Sequence, residues 1–334
     1  MEVIYHHDPQ RNFGDDLNAV LWPHILSPKV MESDRVVLVG IGSILNEEKL
    51  GHLHSDPRKI VVLGTGVSYG LPPRYTVDWE VSAVRGPITA HLIGHPEASV
   101  TDGAALLAKA PDLVPQARHR RGILFIPHHS SLAYNDWPSA CALAGLDYVS
   151  PRETVENVLA AVNKAELVVT EAMHGAIVAD TLRVPWVPVV TSPAIDELKW
   201  RDWTRSLELP FKPIRIPPST PSAAFAEDWA ARQYRRRGME GMDLLRDAWT
   251  QAEYERYLVQ RRGAFQEPGP SKLERATWKL RHHMSPSLRR KILAEASGAL
   301  YRAAQNPGYL SDDLIFSQRV ERLEAAALRI ERFA

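Results

Sequence analysis

Short, unbroken apolar runs that stop at a glycine or a knot of polar residues, and then give way to a helical segment, recur along the first two thirds of the chain. "RVVLVGIGSIL", "KIVVLGTGVSYG", "VSAVRGPITAHLIG", "ILFIPHH", "LVVTEAMHGAIVADTL" and "PWVPVV" all follow this plan, as do "EVIYHH", "ASVTDGAALL" and "DYVSPRE" in weaker form. A β-branched run without polar alternation has no face suited to water, so its strand is covered on both sides. Strands of that kind alternating with helices predict an α/β fold on parallel sheets. A basic, proline-containing stretch, "APDLVPQARHRRG", interrupts the pattern and reads as a linker. The expectation is two Rossmann-like domains, at 1–115 and 122–217, with a cleft between them.

From about residue 218 the texture changes. Residues 225–334 hold 20 Lys/Arg against 15 Asp/Glu, a local net of +5, in a helical composition punctuated by "PGPS" and "NPGYLSDD". A helical extension over 218–334 is expected. Its stretch "KLERATWKLRHHMSPSLRRK", residues 272–291, interleaves seven Lys/Arg with Trp278, Leu273, Leu280, Met284 and Leu288. Two readings compete for it: a basic face of packed helices, or a patch that lies on an anionic membrane surface.

The chain as a whole is 45% hydrophobic and formally neutral, so it can bury a large core and carries no global field toward nucleic acid. No apolar run approaches the roughly 20 residues of a membrane span, and the first residues lack the pattern of a signal peptide. A single cysteine, Cys141, excludes a disulfide framework. A cytoplasmic location is expected, with oligomeric state open.

The polar knots sit at the carboxyl ends of the expected strands, where open parallel sheets bind ligands. "NFGDDLN" gathers Asn12, Asp15 and Asp16 around Gly14, with a helix cap as the plainer reading. Gly42 with Ser43, and Gly66, sit in glycine turns whose N–H groups suit an anion. Arg85 precedes Gly86–Pro87 and has the geometry for a carboxylate or phosphate. His128 and His129 end another strand; adjacent residues of an extended chain point opposite ways, so they do not form a metal pair, and no metal site is expected. In "TEAMHGAIVAD", Glu171, His174 and Gly175 fall where a buried strand hands over to a helix N-terminus, which favours an anionic ligand.

Taken together, "NFGDDLNAVLWPHIL", "VGIGSIL", "VVLGTGVSYG", "VRGPITA", "VTDGAALL", "FIPHHSSL" and "EAMHGAIVADTLRVPWVPV" resemble the polysaccharide pyruvyl transferase family, in particular its exopolysaccharide ketal-pyruvyltransferase branch. The resemblance covers roughly residues 3–215. It implies two Rossmann-like domains arranged as in GT-B glycosyltransferases, phosphoenolpyruvate as donor substrate with no cofactor, and a sugar acceptor, commonly lipid-linked, converted to a cyclic pyruvate ketal. It implies His174, Glu171 and Asp15 in catalysis, and Arg85, Gly175, His128, His129 and Lys199 at the donor. Asn12, Gly14, Asp16, Gly42, Ser43 and Gly66 fall on the acceptor side. Many members carry an Arg two residues before the histidine; here that position is Ala172, and Arg85, Lys199 or Arg201 would have to supply the charge. Two other functions fit the same elements. One is a GT-B glycosyltransferase using a nucleotide sugar, in which a second carboxylate is expected eight residues after Glu171; that position is Ala179, with Asp180 one further. The other is a non-catalytic sugar-binding component of a polysaccharide assembly complex.

Overall fold

A computed structural model describes residues 1–73, 79–117, 119–192, 195–239, 250–266, 271–273, 276 and 286–334, with backbone alone for 263–266. Among them are two parallel sheets. The first is four-stranded, in the order β1 (Glu2–Ile4), β2 (Val36–Val39), β3 (Lys59–Thr65), β4 (Glu80–Val84). The second contains β5 (Ile123–Ile126), β6 (Asp147–Tyr148), β7 (Leu167–Thr170), β8 (Trp186–Val190) and β9 (Ile214–Arg215), in the order β6-β5-β7-β8-β9. All neighbours in both sheets pair in parallel. In the second sheet the chain reverses its direction of travel between β5 and β7, and such a switch point opens a crevice at the strands' carboxyl ends.

The apolar runs are buried on both faces, as their composition requires. Val36 and Leu38 of β2 join one cluster with Leu17, Leu21 and Trp22 of the helix Phe13–Ile25. Val37 and Val39 face the other way, against Leu50, Leu53 and Ile88. The first cluster continues without a break into Leu124, Ile126, Val168 and Trp186 of the second sheet, so the two halves share a core.

Two segments fold differently from expectation. "ASVTDGAALL" contributes only a bridge between Ser99 and Val84, followed by a 3-10 helix at Gly103–Lys109. Asp102 caps that turn by accepting from the Ala104 N–H, and Pro111 follows two residues after its end. "DYVSPRE" yields only the two-residue β6.

The helix Glu197–Ser206 joins the halves. Trp200 and Trp203 are almost wholly buried against Trp186 of β8, with ring centroids 6.2 and 5.1 Å from it. That anchorage turns Asp202 toward the first half. Asp202 Oδ1 accepts the N–H groups of Ile88 and Thr89 at 2.8 and 3.0 Å, and Oδ2 accepts the Thr89 hydroxyl at 2.6 Å. The helix Pro87–Leu92 has no cap from its own Gly86, so its free N–H groups are satisfied from across the molecule. Gly86 is required there: a Cβ would stand 1.9 Å from the Asp202 carbonyl oxygen.

The extension packs on both halves. The helix Pro286–Ala303 lies on the second, where Ala299, Leu300 and Ala303 enter a cluster with Trp137 and Phe125. The helix Asp313–Leu328 closes on the shared core through Phe316, Val320 and Leu323. Most of 272–291, including Trp278, Leu280 and Met284, lies outside the described residues. Among the described residues no helix is long and apolar enough to cross a membrane.

Candidate active site

A cleft of about 420 Å³ opens at the carboxyl ends of β1, β2, β3 and β5, bordered by both halves. His6, Asn12, Asp15, Ser43, Lys49 and Tyr69 come from the first half, and His128, His129, Ser130 and Lys199 from the second. Asn12, Asp15, Ser43, His128, His129 and Lys199 were expected from the sequence; His6, Lys49, Tyr69 and Ser130 were not. For His6, Tyr69 and Ser130 the signal was position alone, since each stands two to four residues beyond a strand; Lys49, in the helix Glu47–Leu50, had none.

Asp15 begins the helix Phe13–Ile25 and is 7% exposed. Burial raises its carboxyl to about 7, against the pull of Lys199 and of the Asn12 amide, which donates to Oδ2 at 2.6 Å. Close to neutrality this group is thus divided between acid and base. Asp16, next to it, is not among the residues that border the cleft.

His174 rests on Gly14. A Cβ built at Gly14 would lie 1.9 Å from His174 Nδ1, so the glycine seats an imidazole from the opposite half one residue from Asp15. His174 Nε2 is buried and, among the described residues, has no hydrogen-bond partner. Burial, with Lys199 and Arg85 nearby, lowers the ring to about 3, and it is neutral in the free protein. An orphaned buried nitrogen beside a cleft is an acceptor or donor kept for something that enters.

Lys199 is the cation at the centre. Its Nζ is 3.4 Å from the Tyr69 hydroxyl and lies over that ring at 5.8 Å. Its field reaches Asp15, His128, His129 and His174. Tyr69 has a φ of 60°, in the left-handed region, which a bulky residue enters only when its surroundings hold it. His128 Nδ1 accepts the Ser130 N–H at 3.3 Å, so the proton of the neutral ring is on Nε2. His129 pairs with Asp8 at 3.2 Å.

Like His174 and Gly14, the expected residues Arg85, Gly66, Glu171, Gly175 and Gly42 support the cleft without bordering it. Arg85 is fully buried: Nε meets Asp202 at 3.1 Å, Nη1 donates to Ser43 Oγ at 2.7 Å and Nη2 to the Val67 carbonyl at 3.0 Å. Gly66 is the floor on which it lies, where a Cβ would stand 2.2 Å from Cζ. With every edge enclosed, Arg85 holds Ser43 in place and offers no N–H to a donor in this conformation. Glu171 is also fully buried. Its Oε2 accepts the His128 N–H at 3.0 Å, and Oε1 accepts the N–H and hydroxyl of Thr191. From the end of β7 it therefore ties together the loops after β5 and β8, and its acceptor sites are occupied. Gly175 packs its helix onto the strand, a Cβ there meeting Thr170 Oγ1 at 2.6 Å. Gly42 adopts a φ of 125° beside Asp15, a conformation that only glycine takes readily.

The extension reaches this region too. Arg261, 1% exposed, pairs with Asp196 at 3.3 Å, and Asp196 also accepts from Ser68 and from the Tyr257 hydroxyl. Asp196 caps the helix that carries Lys199, so the first half, the Lys199 helix and the extension meet at one carboxylate. Neither Ala179 nor Asp180 joins the site. Ala179 is in the core, and Asp180 is taken up by Trp186 Nε1 and by Ser311.

Comparison with known proteins gives the family. The polysaccharide pyruvyl transferase family model matches residues 87–193, a span that includes His128, Glu171 and His174. The succinoglycan biosynthesis protein ExoV of Rhizobium meliloti (strain 1021) is 32% identical over 336 residues, covering 99% of each chain. No solved structure matches. With one relative 32% identical over nearly the whole of both chains and the family model matching 87–193, the chain belongs to the polysaccharide pyruvyl transferase family.

Proposed function

We propose that this protein transfers the pyruvyl group of phosphoenolpyruvate to two hydroxyls of one sugar in an exopolysaccharide repeat unit, forming a cyclic ketal and releasing phosphate. The observation that carries the reading is Asp15 and Lys199 on one cleft between the halves, with His174 seated against Gly14, one residue from Asp15, and its buried Nε2 unpaired among the described residues. Asp15 and Lys199 border it, and His174 lies just behind Gly14. The name of the relative, a succinoglycan biosynthesis protein, supports the polysaccharide acceptor.

The donor brings a carboxylate and a phosphate. Lys199 and Lys49 offer positive charge, and the Nε2–H of His128 offers a neutral donor. The half-protonated carboxyl of Asp15 delivers a proton to C3 of the enol, which leaves C2 electron-poor. One acceptor hydroxyl adds to C2 while His174 Nε2 takes its proton. The bound anion makes this possible, because a negative charge beside a neutral imidazole raises its affinity for a proton. The C2–O bond to phosphate then breaks, and the second hydroxyl closes the ring. Of the two protons lost by the diol, one replaces the proton given to C3 and the other leaves with phosphate. Positioned acid–base groups of this kind contribute ~10²–10⁴-fold each. The acceptor enters from a lipid-linked oligosaccharide, and the two halves take the GT-B arrangement. The test is release of inorganic phosphate from phosphoenolpyruvate that depends on both a saccharide acceptor and His174. Release without an acceptor, or at an unchanged rate in His174→Ala, would refute it.

A further inference from the structure

A second cavity, of about 230 Å³, lies at the carboxyl end of the second sheet, beneath the helix Pro221–Arg236. It shares the wall residue Ser130 with the charged cleft, so the two lie side by side. Its walls are of a different kind. Tyr134 and Trp229 present aromatic surface, and Ile195 and Pro218 add aliphatic surface. Tyr134 is 48% exposed, an unusual outlay of aromatic area beside a crevice. Polar groups share the lining: Ser130, Ser131, Asn135 and Ser192, the Glu171 carboxylate tied to Thr191, and Glu227 paired with Arg215. Close-packed interiors leave few voids larger than a water molecule. This one is kept open by a helix whose inward residues, Ala223, Ala226 and Ala230, are too small to fill it.

Aromatic faces together with hydroxyl, amide and carboxylate groups suit a sugar ring. A pyranose has apolar C–H faces that stack on aromatic rings and equatorial hydroxyls that reach for polar edges. We propose that this cavity is a saccharide subsite, holding the sugar unit adjoining the one that receives the pyruvyl group. The inference rests on the functional reading above and adds where the acceptor's neighbouring sugar is held: in this cavity, so that recognition extends across at least two rings. A glycosidic link would pass Ser130, which borders both cavities.

The test is binding of the intact protein to a glycan array printed with mono- and oligosaccharides, compared with Trp229→Ala and with Ala226→Trp, which fills the cavity. Wild type is expected to retain oligosaccharides over their constituent monosaccharides, and both variants to lose at least tenfold of that signal. Both should keep the thermal shift that phosphoenolpyruvate gives wild type, which shows that they fold and that the cleft is intact. Absence of any oligosaccharide preference in wild type, equal signals from wild type and both variants, or a cavity occupied by UDP or GDP in a competition arm would each overturn the subsite. The array reads binding without turnover. A protein that binds through Trp229 yet releases no phosphate from phosphoenolpyruvate therefore refutes the reaction and leaves the subsite standing.

Discussion

Adding one methyl group at Gly14 should remove activity while leaving the fold in place. The residue is the second of the helix Phe13–Ile25 and has ordinary helical backbone, so alanine is conformationally acceptable there. The new Cβ would lie 1.9 Å from His174 Nδ1, 2.4 Å from Cγ and 2.7 Å from Cβ. Ordinary contact begins near 3.4 Å, so the ring must retreat by about 1.5 Å. Rotation about the Cβ–Cγ bond does not help, because the His174 Cβ itself is too close. A misplacement of ~1 Å at a reacting group costs ~10²-fold in rate. Overpacking of this kind costs roughly 1–3 kcal/mol, and replacing glycine by alanine in a helix returns about 0.5–1 kcal/mol. Gly14→Ala is thus expected to lose at least about a hundredfold in phosphate release with Tm lowered by only a few degrees. Circular dichroism and a thermal scan report the fold, and a coupled phosphate assay reports the rate. A variant within fivefold of wild type would show that His174 does not do its work from this seat.

Other consequences concern the groups around it. Asp15 binds a proton in the folded protein at pH values where it is ionised in the unfolded chain, so it lowers stability as pH rises from about 4 to about 7. Asp15→Asn should therefore raise Tm at pH 7–8 while abolishing transfer, and an unchanged or lower Tm there would contradict the buried, proton-holding carboxyl. In wild type the rate should fall as pH rises through about 7, and a rate that climbs steadily to pH 9 would exclude Asp15 as the acid. Arg85→Lys keeps the charge but loses the three-way grip on Asp202, Ser43 and Val67; the loss should appear mainly in Tm, and a raised KM for the donor with Tm unchanged would return Arg85 to the donor site. Arg261→Met takes from the buried Asp196 its paired cation and leaves only the more distant Lys199, which should cost up to about 3–5 kcal/mol, recovered in part by adding Asp196→Asn. Equal stability of wild type and the single variant would separate the extension from the site.

What could be read from the sequence was where polar groups cluster; who their partners are could not. Continuous apolar runs located β2, β3, β5, β7 and β8, because burial on both faces leaves a compositional trace. The sequential order of the first sheet leaves none. The cluster around Gly14 and the step from Thr170 to Gly175 pointed to the right places, and the structure brings them together across 160 positions at Gly14 and His174. Arg85 and Glu171 have the chemistry of ligand-binding residues, and nothing local distinguishes that use from a structural one. The deciding facts are Asp202, 117 residues from Arg85, and Thr191, 20 residues from Glu171. "RGP" proved to be the seat for a helix from the other half. Ala172, in place of the family's arginine, is 7% exposed. Lys199, from the following helix, is the cation whose field reaches His174 and the neighbouring histidines.

The central claim is tested most directly by mass spectrometry of a saccharide acceptor. Lipid-linked oligosaccharides extracted from an exopolysaccharide-producing strain are incubated with the purified protein and phosphoenolpyruvate. The account predicts that an oligosaccharide gains the mass of pyruvic acid less one water, one phosphate being released for each gain, and that His174→Ala gives neither. Consumption of phosphoenolpyruvate to free pyruvate with no oligosaccharide gaining that mass would contradict it.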